Sequence, residues 1–192
     1  MQTLDCYLIP RYYYAIKNFA DYFGYEYYEF IDLVRCITAL HDLGKLNIAW
    51  QEKVGWDGKV PLAHSDKSDV RGLPPHATVS ARALQPYLES LFDEEDLLKA
   101  FYLAIAHHHA PRAREYRDYR LIPEFHRFVE KVWSVPRDSI EAHGSAGRLD
   151  FTYLDIVYEN EAYRLYGLLC KLVRISDRLA TGGVSYESIF SV

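Results

Sequence analysis

The sequence predicts an all-α fold, and three observations support this prediction. Apolar residues recur at the spacing of one helical face in several segments. No useful length of chain alternates apolar and polar residues, as a half-buried strand would. The composition of the 192 residues, 49% hydrophobic and 26% charged, is that of an ordinary globular protein. We therefore expect a single helical domain over residues 1–192, with its motifs within about 27–182.

The first predicted helix runs over residues 27–41. Its apolar residues fall on one face: Phe30, Leu33, Val34, Ile37 and Leu40. His41 continues this face inward, and Gly44 is the stop signal expected just past a helix end. We therefore expect His41 and Asp42 to lie on the last turn of a buried helix.

The middle of the chain predicts two helices separated by a long loop. A short helix over 46–54 is followed by a segment rich in Gly and Pro, residues 55–75, which is typical of a connecting loop. Loops of this length in small domains are often functional. Helical patterning resumes over 76–88, although Pro86 could end that helix early.

Three further helices complete the prediction. An apolar segment from Leu97 runs into His107, His108 and His109, and Pro111 closes it. Another helix is expected over 123–133. A last, long helix over 160–180 carries Asp177 at the edge of its apolar face.

The charge balance limits how a polyanion could be bound. With 22 Lys and Arg against 27 Asp and Glu, the net charge is −5, which argues against a broad basic surface for nucleic acid. A polyanionic substrate would have to be held locally, and Arg112 and Arg114, close after the histidines, are candidates for this. A solvated loop of arginines explains them equally well.

Cysteine usage and hydropathy indicate the compartment. The three cysteines include no Cys-x-x-Cys pair, so neither a disulfide framework nor a zinc knuckle is supported. No signal peptide is apparent, and no apolar run approaches the roughly 18 residues that span a bilayer. We expect a cytoplasmic protein without a membrane segment.

The His41-Asp42 pair is the first candidate for chemistry. A carboxylate can bridge two metals and an imidazole can bind one, while Lys45, close behind, can hold a substrate phosphate. A dipeptide of this kind is weak evidence alone, because a lone buried histidine is more often a satisfied core residue. The surrounding apolar helix and Gly44 strengthen it.

Other metal-competent residues lie at a distance along the chain. His76 alone would more often be a solvent-facing residue at a helix start. Three histidines ending an apolar helix would be costly to bury without a metal, but consecutive helical residues point about 100° apart, so at most two of them can easily face one centre. Asp177 is either a ligand or the ion-pair partner of Arg174.

Four motifs together carry a family resemblance. They are His41-Asp42-Leu43-Gly44-Lys45 with Trp50-Gln51, His76 with Ser80-Ala81, Ile105-Ala106-His107-His108-His109, and Ser176-Asp177-Arg178-Leu179-Ala180. His-Asp-x-Gly-Lys alone occurs throughout the HD superfamily, but this combination is more specific and resembles the HD nuclease of type I CRISPR systems. Because no P-loop motif is present, the chain is similar to the stand-alone nuclease subunit that works beside a separate helicase subunit.

The resemblance implies a fold, a metal centre and an activity. It implies an HD-superfamily helical domain whose centre lies between core helices, with Asp42 bridging two divalent ions (Mn, Ni, Co, Fe or Mg). His76, His108 and His109 would complete one site, and His41 and Asp177 the other. It further implies two-metal cleavage of single-stranded DNA, or of RNA or R-loops, exposed by a guide-RNA surveillance complex in antiviral defence.

In this mechanism the two cations clamp the phosphodiester. Lys45 would neutralise the phosphate, and Arg112 and Arg114 would follow the strand. Trp50 or Tyr116 could stack unpaired bases, although core packing explains Trp50 equally well.

Two alternatives stay open, and a departure from the family pattern supports the second of them. The family has another histidine on its first helix, whereas here no histidine precedes His41 and the equivalent region is Tyr12, Tyr13 and Tyr14. One alternative is an HD nucleotide phosphohydrolase, which uses similar metal chemistry. The cyclic-dinucleotide branch is disfavoured because its Gly-Tyr-Pro element is missing after the His pair. The other alternative is a catalytically weak interaction subunit.

Overall fold

The predicted all-α fold is confirmed by the structure, a computed structural model that describes residues 1–62, 75–151 and 160–181. The α-helices are α1 (Ile9–Arg11), α2 (Tyr13–Tyr22), α3 (Tyr27–Leu40), α4 (Ile48–Val54), α5 (His76–Leu91), α6 (Glu95–Ala106), α7 (Phe125–Val132) and α8 (Glu161–Thr181). A π-helical turn, Leu4–Leu8, precedes α1, and 3₁₀ turns cover Leu43–Leu46 and Arg137–Ser139. Most of the loop expected over 55–75 lies outside the described residues.

Helix α6 is the centre of the core. Every residue from Ala100 to Ala106 is buried completely, so this helix is covered on all sides. It packs between α5 and α8, and α3 packs against α8 and α2. The ends of α3, α6 and α8 and the start of α5 therefore approach one another, which prepares a common site.

Two differences between the predicted and observed helix boundaries have a physical reason. Pro86 lies inside α5 rather than ending it, and the helix continues to Leu91 because Leu84, Tyr87 and Leu88 on both sides of the proline are buried in the core. Helix α6 ends at Ala106, before the three histidines, so these residues lie in the turn that follows.

Four two-residue strands were not predicted. Strand β1 (Glu115–Tyr116) pairs antiparallel with β4 (Gly147–Arg148), and β2 (Tyr119–Arg120) pairs antiparallel with β3 (His143–Gly144). Strands of two residues are too short to show an alternating pattern. They fold the segment after α6 back over α5, since β1 contacts that helix.

The N-terminal tyrosines lie mainly at the surface. In α2, Ile16 and Ala20 are buried, while Tyr14 and Tyr22 are exposed. Across the ranges that the structure describes, no helix combines the length and the apolar character needed to cross a membrane.

Candidate metal centre

The centre is built from residues at the ends of helices. His41 directly follows α3, and Asp42 lies between it and the 3₁₀ turn Leu43–Leu46. His76 is the first residue of α5, His108 and His109 follow α6, and Asp177 lies in α8.

Gly44 brings the 3₁₀ turn against α5. Its backbone N–H donates to Ser80 Oγ at 2.7 Å, and Ser80 Oγ donates to the carbonyl of His76 at 2.9 Å. A Cβ at Gly44 would lie 2.1 Å from that carbonyl oxygen. Helix α3 does end before Gly44, but the predicted role of this glycine as the helix stop was wrong, because it lacks the positive φ of a helix-terminating glycine. A glycine is required here because a larger residue would not fit against α5.

The first group of candidate ligands surrounds one oxygen of Asp42. Asp42 Oδ1 lies 3.1 Å from His76 Nε2 and 3.7 Å from His108 Nε2. His109 Nε2 lies 3.1 Å from His76 Nε2. The four residues each offer one ligand atom, and these atoms lie within 4.8 Å of one another, so they could hold a metal ion.

The second group shares Asp42 with the first. His41 Nε2 lies 3.5 Å from Asp42 Oδ2 and 3.8 Å from Asp177 Oδ1. These three residues also offer atoms within 4.8 Å of one another. The two groups are those that the family resemblance implies, and metal binding by them stays a prediction.

The orientation of two imidazoles fits a cation. His41 Nδ1 lies 2.8 Å from the carbonyl of Thr38, and His108 Nδ1 lies 2.6 Å from the carbonyl of Ile105. Because a carbonyl only accepts, each Nδ1 must carry the proton, which leaves the lone pair of Nε2 directed at the cluster in neutral imidazole. Both Nε2 atoms, and Asp42 Oδ1, are buried without a well-formed hydrogen bond within the described ranges. Divalent cations, one in each ligand group, would satisfy all three atoms.

The protonation states also fit a cation. Burial would raise the pKa of Asp42, but His108, His76, His41 and Lys45 together hold it well below its usual range. Burial lowers the pKa of His76, and burial together with His108 and His76 lowers that of His109 to about 4. At neutral pH Asp42 is therefore an ionised carboxylate and the imidazoles of His76 and His109 are neutral, the forms that bind metals.

His41 has the opposite shift. Burial lowers its pKa, but the neighbouring carboxylates of Asp177 and Asp42 outweigh burial and raise it. The pKa of Asp177 is lowered chiefly by its interaction with His41. Positive charge is therefore favoured between these two carboxylates, and a cation can supply it in place of the proton.

His107 lies apart from both groups. Its Nδ1 is 2.8 Å from Tyr166 Oη and its Nε2 is 3.0 Å from the carbonyl of Ala113, so both ring nitrogens are engaged. Arg174 supports the same turn, donating from Nε to the carbonyl of His108 at 2.7 Å and from Nη2 to that of His107 at 2.8 Å. From the sequence we considered Arg174 only as an ion-pair partner of Asp177, so its hydrogen bonds to the turn that carries His107 and His108 were not predicted.

Lys45 and Gln51 stabilise the turn that carries Asp42. Lys45 Nζ donates to Asp42 Oδ2 at 2.6 Å, although its ammonium was expected to serve substrate phosphate. Gln51, completely buried, donates to the carbonyl of Lys45 at 2.7 Å and accepts from the backbone N–H of Leu62 at 2.8 Å. Trp50 is only 3% exposed, so the expectation that it could stack unpaired bases was wrong.

The predicted phosphate-binding arginines lie outside the two ligand groups. Arg112 and Arg114 are exposed, and Arg112 lines a cavity of about 190 Å³ with Pro111, Tyr163 and Tyr166. A second cavity, of about 150 Å³, lies directly against the centre. Its lining residues are His108, His109, Pro111, Arg174, Asp177 and Arg178. Both cavities have Pro111 and at least one arginine in their lining.

The three tyrosines in place of a family histidine also lie outside these groups. The ammonium of Lys171 lies 5.1 Å from the centre of the Tyr12 ring, and Tyr13 and Tyr14 are exposed. None of the three belongs to a ligand group found in the described ranges.

An all-helical chain whose His-Asp pair meets further histidines and an aspartate in this way defines a metal-dependent hydrolase of the HD type. The chain belongs to the family described as "Cas3, HD domain", whose model matches residues 9–178. The family places it among the CRISPR-associated HD nucleases, as the motifs suggested. Comparisons with curated proteins and with solved structures gave no match.

Proposed function

We propose that this protein is a two-metal endonuclease that hydrolyses phosphodiester bonds in single-stranded DNA, or in RNA or R-loops, during CRISPR antiviral defence. It would act beside a separate helicase subunit and a guide-RNA surveillance complex. The observation that carries the proposal is Asp42, one carboxylate shared by two ligand groups, in which His41 Nε2 and His108 Nε2 are buried with no hydrogen-bond partner among the described residues.

The proposed ligands follow from the two groups. Asp42, His76, His108 and His109 would hold one divalent ion, and His41, Asp42 and Asp177 the other, chosen from Mn, Ni, Co, Fe or Mg. When bound, such ions supply Lewis-acid chemistry that acidifies water and neutralises phosphate charge.

The protein's own residues have separable tasks. The carbonyls of Thr38 and Ile105 fix the tautomers of His41 and His108. Lys45 orients the Asp42 carboxylate and lies where its ammonium can also approach a non-bridging phosphate oxygen. Arg174 positions the histidine turn, and the arginines beyond Pro111 would attract the continuing strand.

Basic residues in separate cavities at the centre favour a polymer over a free nucleotide. The cavity against Asp177 is lined by Arg174 and Arg178, and a different cavity is lined by Asp42 and Lys45. A polynucleotide presents phosphates on both sides of the scissile bond, whereas a nucleotide ends on one side. The phosphohydrolase alternative is therefore less well supported.

Circular single-stranded DNA tests the proposal directly, because a circle is lost only by internal cleavage. Purified protein is incubated with circles, and separately with nucleoside mono- and triphosphates, across Mg, Mn, Co, Ni and Fe. We expect metal-dependent loss of the circle, abolished in Asp42→Ala. Consumption of nucleotides alone would support the phosphohydrolase, and turnover of neither substrate would support the interaction subunit.

A further inference from the structure

A largely apolar cavity of about 350 Å³ opens beside Asp42 and Lys45. Its walls come from the end of α3, the following 3₁₀ turn, Pro61 and Leu62, and α7. The apolar lining includes Leu40, Leu43, Leu62, Phe128, Val129 and Val132. This volume lies within the roughly 300–1,000 Å³ typical of small-ligand sites.

The residues that line the cavity suit a ligand that has an aromatic ring with anionic groups attached close to it. Lys45 and Lys131 are its basic lining residues, and Asp42 its acidic one. Lys131 Nζ lies 5.4 Å from the centre of the Phe128 ring, so an ammonium stands beside an aromatic wall. Asp42 is already paired with Lys45, whose Nζ lies 2.6 Å from Oδ2.

We propose that this cavity receives one nucleobase of a single-stranded polynucleotide, next to the phosphodiester held at the metal centre. Phe128 packs against the base, and Lys131 faces the phosphate on its far side. The inference rests on the proposed function, because the cavity shares Asp42 and Lys45 with the centre.

The shared residues favour a base over the side chain of a protein partner. Asp42 and Lys45 line both the cavity and the metal centre, so a ligand that fills the cavity lies next to the position of the scissile phosphate. In a nucleotide, an aromatic ring and a phosphate are joined at this short range by one sugar. The basic cavity at Arg174 and Arg178, which shares none of these described lining residues, then receives the continuing strand.

Photo-crosslinking tests the cavity without relying on hydrolysis. Single-stranded oligonucleotides containing 4-thiothymidine are irradiated with the protein in Mn²⁺ buffer and, separately, with a chelator, and tryptic peptides are mapped by mass spectrometry. We expect crosslinks in the adjacent α7 peptides 128–131 and 132–137. Val132 is 53% exposed at the rim, so Val132→Trp can fill the cavity with little cost to folding.

Affinity for the same oligonucleotides supplies a matched comparison. Val132→Trp should weaken binding about tenfold, the order expected for loss of one base–aromatic stack. Glu130→Trp, an exposed position on α7 outside the cavity lining, should leave it unchanged. Lys131→Gln is a second, less bulky variant, with an expected loss of a few-fold.

The outcomes separate this inference from the proposed function. If crosslinks fall outside α7 and Val132→Trp binds as well as the natural protein, the cavity holds no base, even if the protein cuts DNA. If crosslinks fall in α7 but no polynucleotide is hydrolysed with any metal, the base site stands and the nuclease proposal falls.

Discussion

Asp42 is the residue on which both ligand groups depend, and Asp177 belongs to one of them. Isosteric substitution by Asn removes the negative charge while keeping the shape of the side chain. We expect two Mn²⁺ ions per natural protein, one in Asp177→Asn and none in Asp42→Asn, measured by calorimetric titration and by elemental analysis after dialysis.

Asp21→Asn is the matched control for the same change of residue type. Asp21 is exposed, pairs with Lys17 on the surface of α2 and belongs to neither ligand group. This variant should retain two ions. Equal stoichiometry in Asp42→Asn and Asp177→Asn would contradict the shared-carboxylate arrangement.

The sequence predicted much of this cluster because its residues carry local signals. His41 and Asp42 follow an apolar helix, and Asp177 interrupts an apolar face. Which of the three consecutive histidines face the centre could not be derived from spacing alone. That choice depends on Tyr166 and Ala113, which engage His107 from other segments of the chain.

The contact between the Leu43–Leu46 turn and α5 determines how Asp42 meets His76. Gly44→Ala would place a Cβ 2.1 Å from the His76 carbonyl oxygen, against backbone that cannot rotate away. We expect a loss of about 2–4 kcal/mol in the free energy of unfolding, measured by urea denaturation, together with weakened metal binding.

Gly167→Ala provides the opposite control in α8. Nothing lies within 4 Å of a Cβ at this exposed helical position, so alanine should stabilise the protein by about 0.5–1 kcal/mol through helix propensity. If Gly44→Ala and Gly167→Ala lower the free energy of unfolding equally, the close approach of Gly44 to His76 is not the cause of the loss.

Helices with long apolar faces were predictable, whereas short or exposed elements were not. Helices α3, α6 and α8 show clear periodicity in sequence, and the structure places them at the core. Helix α2 was missed because only Ile16 and Ala20 of its residues are buried, so its pattern is weak. The paired strands depend on contacts between distant segments, which local spacing does not encode.

Buried cysteine thiols and tyrosine hydroxyls make the stability of the whole protein fall at alkaline pH. Burial raises the pKa of Cys36 to about 12 and, against the smaller lowering effects of Tyr166 and Arg174, raises that of Cys170 to about 11. Unfolding lets both thiols ionise from about pH 9. Stability should therefore be complete below pH 8 and fall as pH rises towards 11, since the unfolded state releases more protons.

Urea midpoints measured from pH 7 to 10.5 test this linkage. Each thiol contributes at most about 1.4 kcal/mol per pH unit, so Cys36→Ala and Cys170→Ala should each flatten the alkaline decline. Cys6→Ala is the control, because Cys6 is exposed. A decline equally steep in all three variants would assign it to other groups, such as Tyr87, whose pKa burial raises to about 12.

The candidate ligands come from parts of the chain that are distant in sequence, so the stability of the fold should depend on bound metal. A cation held by His41 and Asp177 would link the end of α3 to α8, as a removable crosslink.

Because such a cation binds the folded chain, Mn²⁺ at 100 times its dissociation constant should add about 2.7 kcal/mol to the free energy of unfolding. Chelation should speed hydrogen exchange and proteolysis in α8 before the core opens, and unchanged protection there would mean that α8 is held without it. A cell short of metal would then lose the intact protein as well as its activity.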